Sequence, residues 1–84
     1  IYKISASRGD TRAQFSLGVM YEKGIGMAQS NILAFMWYDL SSFQGYEAAF
    51  SSRDMLIKVM TKEDISISRN MARKCLSSSY KKCD

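Results

Sequence analysis

Apolar residues recur at spacings of three and four along much of the chain, and this period predicts amphipathic helices. A first helix follows Asp10, a residue type that caps helices well, and it ends at Gly24-Ile25-Gly26, where glycine adopts a left-handed conformation without steric cost. Its apolar face should comprise Ala13, Leu17, Gly18 and Tyr21. Gly18, which has no side chain, should let the partner helix approach closely.

A second helix is predicted to begin at a cap formed by Ser30 or Asn31 and to end before Gln44-Gly45. Its apolar face is broad and contains Ile32, Leu33, Phe35, Met36, Trp37, Leu40 and Phe43. A third helix should run from about Glu47 to Met60. Its inward residues are expected to be Ala49, Phe50, Leu56, Ile57 and Met60.

A fourth helix is predicted from Thr61 to about Leu76, because Thr61 can cap it and two acidic residues in its first turn suit the helix dipole. The alternation at 65–68 would also fit a strand, but the capped helical context favours helix. The inward residues should be Ile65, Ile67, Met71, Ala72 and Cys75. The chain lacks proline, so no residue of that type interrupts these helices. With four predicted helices and no favoured strand, the predicted fold class is all-α.

The chain nearly repeats itself at an offset of 36 residues. The matching pairs are Tyr2 and Tyr38, Ser5 and Ser41, Gly9 and Gly45, and Ala13 and Ala49. A period of this size is typical of helix–turn–helix units that bury their apolar faces by stacking. We therefore expect an α-α superhelix, a short right-handed solenoid of two antiparallel helix pairs. The first eight residues are expected to form the stub of a preceding helix.

The net charge of +4 is concentrated in the carboxyl half. Residues 1–42 hold four basic and three acidic side chains, whereas residues 43–84 hold eight and five. A basic half can bind nucleic acid or anionic lipid. Acidic residues among the bases and a lack of interleaved aromatic residues favour a solvated face instead. We expect no nucleic-acid partner, and no apolar run is long enough to insert into a membrane.

Candidate catalytic and metal-binding groups are few. The chain contains no histidine, which removes the commonest general base and the Ser–His and Cys–His nucleophile arrangements. Two cysteines alone cannot build a structural zinc site. The Gly24-Ile25-Gly26 loop follows a helix and lacks the lysine of a phosphate-binding loop. We therefore expect no enzyme activity, no cofactor and no metal.

Two stretches resemble the Sel-one-like repeat family, which is related to the tetratricopeptide repeats. Residues 9–26 contain Ala-x-x-x-Leu-Gly-x-x-Tyr followed by Gly-x-Gly, and residues 29–45 contain Trp37-Tyr38 and Gly45. The resemblance implies a solenoid segment over residues 1–76. Its first complete unit would be about 9–44, and a degenerate capping unit would be about 45–76. In that second unit Arg53-Asp54 stands where the family pattern has Leu-Gly.

By the same resemblance, the chain is expected to be an adaptor or scaffold whose concave groove binds a protein or peptide, commonly in bacterial signalling or envelope contexts. Phe15 and Met55 would be apolar anchors, although Phe15 could equally be buried against a preceding unit. Alternatives are binding or hydrolysis of a β-lactam-like molecule, as suggested for cysteine-rich relatives, or a purely structural cap. The first helix of each pair would line the groove with Arg12, Phe15, Val19, Glu22, Lys23, Ser51, Met55 and Lys58.

Exported members of the family often end with a cysteine, a short turn and Tyr-Lys-x-Cys, which resembles Tyr80 to Cys83 here. This resemblance implies a disulfide between Cys75 and Cys83 that pins the tail, residues 77–84, onto the last helix. Closing so small a loop would stabilise the fold by about 2–3 kcal/mol. The pair would place the protein in the periplasm or outside the cell. Two free thiols in a reducing compartment are the alternative.

Overall fold

The computed structural model describes residues 10–78, and these residues form helices and no strand. The helices are α1 (Thr11–Lys23), α2 (Asn31–Phe43), α3 (Glu47–Ile57) and α4 (Lys62–Ser77). The all-α prediction is confirmed for this part of the chain, and residues 65–68 lie within α4. The predicted amino-terminal stub and the tail from residue 79 lie outside the described residues.

The predicted caps start three of the helices. In each case a side-chain oxygen accepts a hydrogen bond from the backbone N–H three residues later, which pairs one of the donors left free at a helix start. The caps are Asp10 to Ala13 at 3.0 Å, Ser30 to Leu33 at 3.2 Å and Thr61 to Asp64 at 3.1 Å. Gly24, with φ of 68°, ends α1. Because these signals are local, the sequence predicted them well.

Helix α3 is shorter than predicted, because it ends at Ile57 and not near Met60. The N–H groups of Val59 and Met60 both donate to the carbonyl of Leu56, at 3.0 and 2.9 Å. Two donors on one carbonyl tighten the chain into a turn that leads directly to the Thr61 cap. The following helix therefore starts without a glycine loop.

Helix α2 is the centre of the fold, and each of the other three helices packs against it. Every residue from Ala34 to Ser42 is buried. Gly18 on α1 faces the Tyr38 ring so closely that a Cβ at residue 18 would lie 2.7 Å from two ring carbons. The predicted close approach at Gly18 is therefore observed. The end of α2 lies beside the start of α1, where Ser41 Oγ donates to the Thr11 carbonyl at 3.0 Å.

Helices α3 and α4 pack against α2 far more than against each other. Ser68 Oγ on α4 donates to the Ile32 carbonyl at 2.9 Å, and the guanidinium of Arg69 lies 5.9 Å from the centroid of the Phe35 ring. From α3, Arg53 reaches back to Asp39. The second predicted pair is thus loosely packed, and a space opens between its two helices.

The prediction of inward residues was wrong at four apolar positions, because their side chains are exposed. The hydrophobic period identifies the apolar side of a helix, but it does not determine how widely neighbouring helices cover that side. Since α4 leaves one flank of α3 open, α3 buries only Ala49 and Leu56. The four exposed residues are Phe43, Phe50, Ile57 and Ile67.

Candidate functional site

Helix α3 has one flank towards α1 and the other towards α4, and different side chains meet on each. Towards α1, Tyr38 donates its phenol proton to Glu22, and Ser52 lies close enough to the phenol to influence its pKa. Towards α4, Arg53 contacts Asp39. We call the first surface the α1–α3 face, comprising Phe15, Glu22, Tyr38, Tyr46 and Ser52. We call the second the α3–α4 cleft, comprising Asp39, Phe43, Arg53, Arg69 and Arg73.

Aromatic contacts and one short hydrogen bond organise the α1–α3 face. The Phe15 ring centroid lies 5.5 Å from that of Tyr38 and 5.2 Å from that of Tyr46, both in tilted arrangements. Tyr38 Oη donates to Glu22 Oε1 at 2.6 Å. The face therefore connects α1 and α2 to the residue that precedes α3, and each ring restricts the position of the next.

The phenol of Tyr38 is held in its neutral form. Burial raises its pKa above the usual value, and the hydrogen bond and charge of Glu22 raise the pKa further. The hydrogen bond from Ser52 acts in the opposite direction but is the weakest of these causes. Tyr38 is therefore a proton donor within the structure rather than a base, and it orients the Glu22 carboxylate.

We expect the stabilising effect of Tyr38 to decline in alkaline solution. Because the pKa is raised on folding, the effect is complete below the unfolded value of about 10 and is lost as pH rises above it. At neutral pH, Tyr38→Phe should lower the free energy of unfolding by about 1–2 kcal/mol through loss of the hydrogen bond. Urea unfolding of both proteins from pH 8 to 11 should show this difference shrinking. Parallel pH curves would contradict the assignment.

The structure divides the residues predicted to line a groove on α1. Phe15 and Glu22 belong to the α1–α3 face, as their contacts with Tyr38 show. Arg12, Val19 and Lys23 lie on the neighbouring part of the α1 surface, because successive side chains are rotated by about 100° about the helix axis. Arg12 and Lys23 are exposed, and Val19 is partly buried against the core. The residues predicted to form one stripe on α1 therefore form two adjacent rows, one with Phe15 and Glu22 and one with Arg12, Val19 and Lys23.

The three groove residues predicted on α3 are all exposed. Met55 follows Ser52 by three residues and therefore lies on the flank towards α1. Ser51 and Lys58 lie on the outer side of α3, opposite the buried Ala49 and Leu56. The structure thus places Met55 on the same side as Phe15 and Glu22, whereas Ser51 and Lys58 point to solvent beyond it.

Two surface depressions share Arg69 and Arg73, one turn apart on α4, and the first of them is the α3–α4 cleft. A depression of about 260 Å³ is lined by the five residues that define the cleft. The neighbouring one, of about 430 Å³, is lined by Lys62, Ile65, Ser66, Arg69, Asn70 and Arg73. Among residues 10–78, four cationic side chains line the two depressions and Asp39 is the single acidic residue in the linings, so both depressions are basic.

A partly buried ion pair forms the inner wall of the cleft. Arg53 Nη1 donates to Asp39 Oδ1 at 3.0 Å and to Ser42 Oγ at 3.1 Å. The guanidinium carbon of Arg53 also lies 5.3 Å from the centroid of the Phe50 ring. Sequence reasoning missed this site, although an aspartate within the apolar stretch 35–40 was a usable signal, since a buried carboxylate needs a cation.

Several other predictions concern chemistry at the carboxyl end. Cys75 is buried on α4, but Cys83 lies outside the described residues, so the disulfide stays a prediction.

The spacing Ser-x-x-Lys, which a β-lactam-reactive serine would need, occurs at 78–81 and 79–82. All but Ser78 of these residues also lie outside the described range.

The described residues 10–78 contain no group of histidine, cysteine or acidic residues placed to hold a metal ion. Their helices include none long and apolar enough to cross a membrane. No protein-family model matches the chain, and comparison with curated proteins and solved structures gives no significant match.

Proposed function

We propose that this chain is a protein-interaction module that binds a peptide or protein segment along the α1–α3 face. In this proposal the helices form the closing part of a Sel-one-like repeat solenoid. The start of α3 at Glu47 lies 36 residues after the start of α1 at Thr11 (47 − 11 = 36), which equals the sequence repeat. Ala13 and Ala49, which correspond in that repeat, are both buried.

The observation that carries the proposal is the unpartnered apolar surface beside this face. Met55 is 66% exposed and Val59 is 71% exposed. Met55 lies on the flank of α3 towards α1, and Val59 follows α3 in the turn that leads to Thr61. Burying such a side chain fully contributes about 1.5–3 kcal/mol. Exposed apolar residues on the same side of a protein as a set of ordered aromatic rings are typical of interaction surfaces.

The roles of the residues follow from their burial. Phe15 and Met55 are the apolar anchors, and Arg12, Lys23 and Lys58 supply a charged rim. Glu22 is held by Tyr38, so it shapes the surface between the anchors. The interaction requires no cofactor. A periplasmic or secreted location belongs to this proposal and depends on the predicted pairing of Cys75 with Cys83.

Peptides selected from a random phage-displayed library against the whole chain would test the proposal. Adding a selected peptide should shift the backbone amide resonances of Phe15, Ser52 and Met55 in NMR spectra. Met55→Glu should weaken its binding at least about tenfold, as expected for an anchor at the centre of an interface. The matched control is Ile25→Glu, since Ile25 is 52% exposed in the loop after α1. Equal weakening by both variants would contradict the assigned surface.

A further inference from the structure

The α3–α4 cleft holds two arginines, Arg69 and Arg73, that form no ion pair with residues 10–78. Arg53 is engaged by Asp39 at 3.0 Å and approaches Asp54 at 4.0 Å. Within residues 10–78, no carboxylate lies within ion-pair distance of Arg69 or Arg73. Arg69 packs near the Phe35 ring, which limits its freedom. Two guanidinium groups therefore line the cleft one helical turn apart.

We propose that this cleft binds an acidic peptide segment. A glutamate or aspartate carboxylate would pair with Arg69 and Arg73, because the planar guanidinium matches a carboxylate with two parallel hydrogen bonds. An apolar side chain next to that carboxylate would cover Phe43, which is 56% exposed and lines the same depression. The α3–α4 cleft lies on the opposite flank of α3 from the α1–α3 face, so this inference is independent of the proposed function.

The surroundings favour a peptide over a nucleic acid. Asp39 lines the depression with Arg53, and Asp54 is exposed beside it, so a strand of phosphates crossing the cleft would pass two carboxylates. Nucleic-acid binding depends on contacts with many phosphates, whereas the cleft and the depression beside it offer Arg69, Arg73 and Lys62. The apolar Phe43 in the cleft and Ile65 in the neighbouring depression suit side chains of a peptide.

An array of immobilised peptides would test the inference with the whole chain. Each peptide carries two glutamates flanking one leucine, isoleucine, phenylalanine or tryptophan, at every spacing up to one helical turn. A second array replaces each glutamate by glutamine. We expect the strongest glutamate peptides to bind at least about tenfold more tightly than their glutamine counterparts, as loss of a charge-assisted pair predicts. If no glutamate peptide exceeds its counterpart, the proposal is overturned.

Variants then locate the binding site. Arg69→Gln and Arg73→Gln should each reduce the affinity for the best peptide about fivefold or more. Lys74→Gln makes the same charge change at an exposed position of α4 that lines neither depression, and it should leave the affinity unchanged. Circular dichroism checks that the variants fold, and if Arg69→Gln unfolds, Arg73→Gln carries the test. Equal weakening by Lys74→Gln would overturn the site. A single-stranded oligonucleotide that binds as tightly as the peptide and displaces it would overturn the proposal of a peptide ligand.

Discussion

Trp37→Ala is expected to lower the free energy of unfolding by about 3–5 kcal/mol, the usual cost of deleting a buried aromatic side chain. The side chain is completely buried at the centre of α2, where all three other helices pack. Since small domains have little stability to spare, the variant should be largely unfolded at 37 °C. Urea unfolding followed by far-ultraviolet circular dichroism measures the change.

Trp37→Phe is the matched control for this prediction. It keeps an aromatic ring, and it removes the indole N–H, which has no acceptor among the described residues. A buried donor without a partner costs free energy, so its removal should offset part of the lost packing. We expect Trp37→Phe to destabilise the protein much less than Trp37→Ala. A shift in the melting temperature of only a few degrees for Trp37→Ala would contradict the packing role.

Arg53→Ala is expected to lower the free energy of unfolding by about 2–3 kcal/mol, because it leaves the Asp39 carboxylate buried without its cation. The side chain of Asp39 is only 4% exposed, whereas that of Arg53 is 20% exposed. We therefore expect a loss at or below the lower end of the range for fully buried pairs. Chemical denaturation measures the change.

Two further variants separate the ion pair from general effects of charge. Asp54→Ala removes an exposed carboxylate 4.0 Å from Arg53 Nε and should change stability by less than about 0.5 kcal/mol. The double variant Asp39→Ala with Arg53→Ala should lose less than the sum of the single variants, because each single variant leaves one unpaired charge. Additive losses would show that Arg53 and Asp39 do not stabilise each other.

The two proposed binding surfaces depend on the same property of α3. This helix buries only Ala49 and Leu56, so side chains on both of its flanks remain accessible. If partners bind to both flanks of α3, a small number of contacts must fix α3 against α2. The ion pair between Arg53 and Asp39 is one of these contacts. The stability variants of Arg53 therefore also test whether α3 stays in place when its main polar contact is lost.

The candidate sites differ in how far the sequence could predict them. Phe15, Glu22 and Met55 were identified from helical spacing on α1 and α3, and the structure places them on one side of α3. The outward positions of Ser51 and Lys58 depend on which face of α3 is buried, and the register of the repeat did not reveal this. The α3–α4 cleft was not anticipated, because Asp39 and Arg53 are 14 residues apart and meet only when α3 packs on α2.

The sequence by itself determined the helices, their caps and the need for a small residue at Gly18. These features depend on interactions within a few residues, such as Asp10 with the Ala13 N–H, or on the period of apolar side chains. Only the tertiary structure decided that α3 and α4 stand apart and leave Phe43 and Phe50 exposed. That outcome depends on how α1, α3 and α4 divide the surface of α2 among them. This division is set by the packing of all their side chains together and not by any local signal.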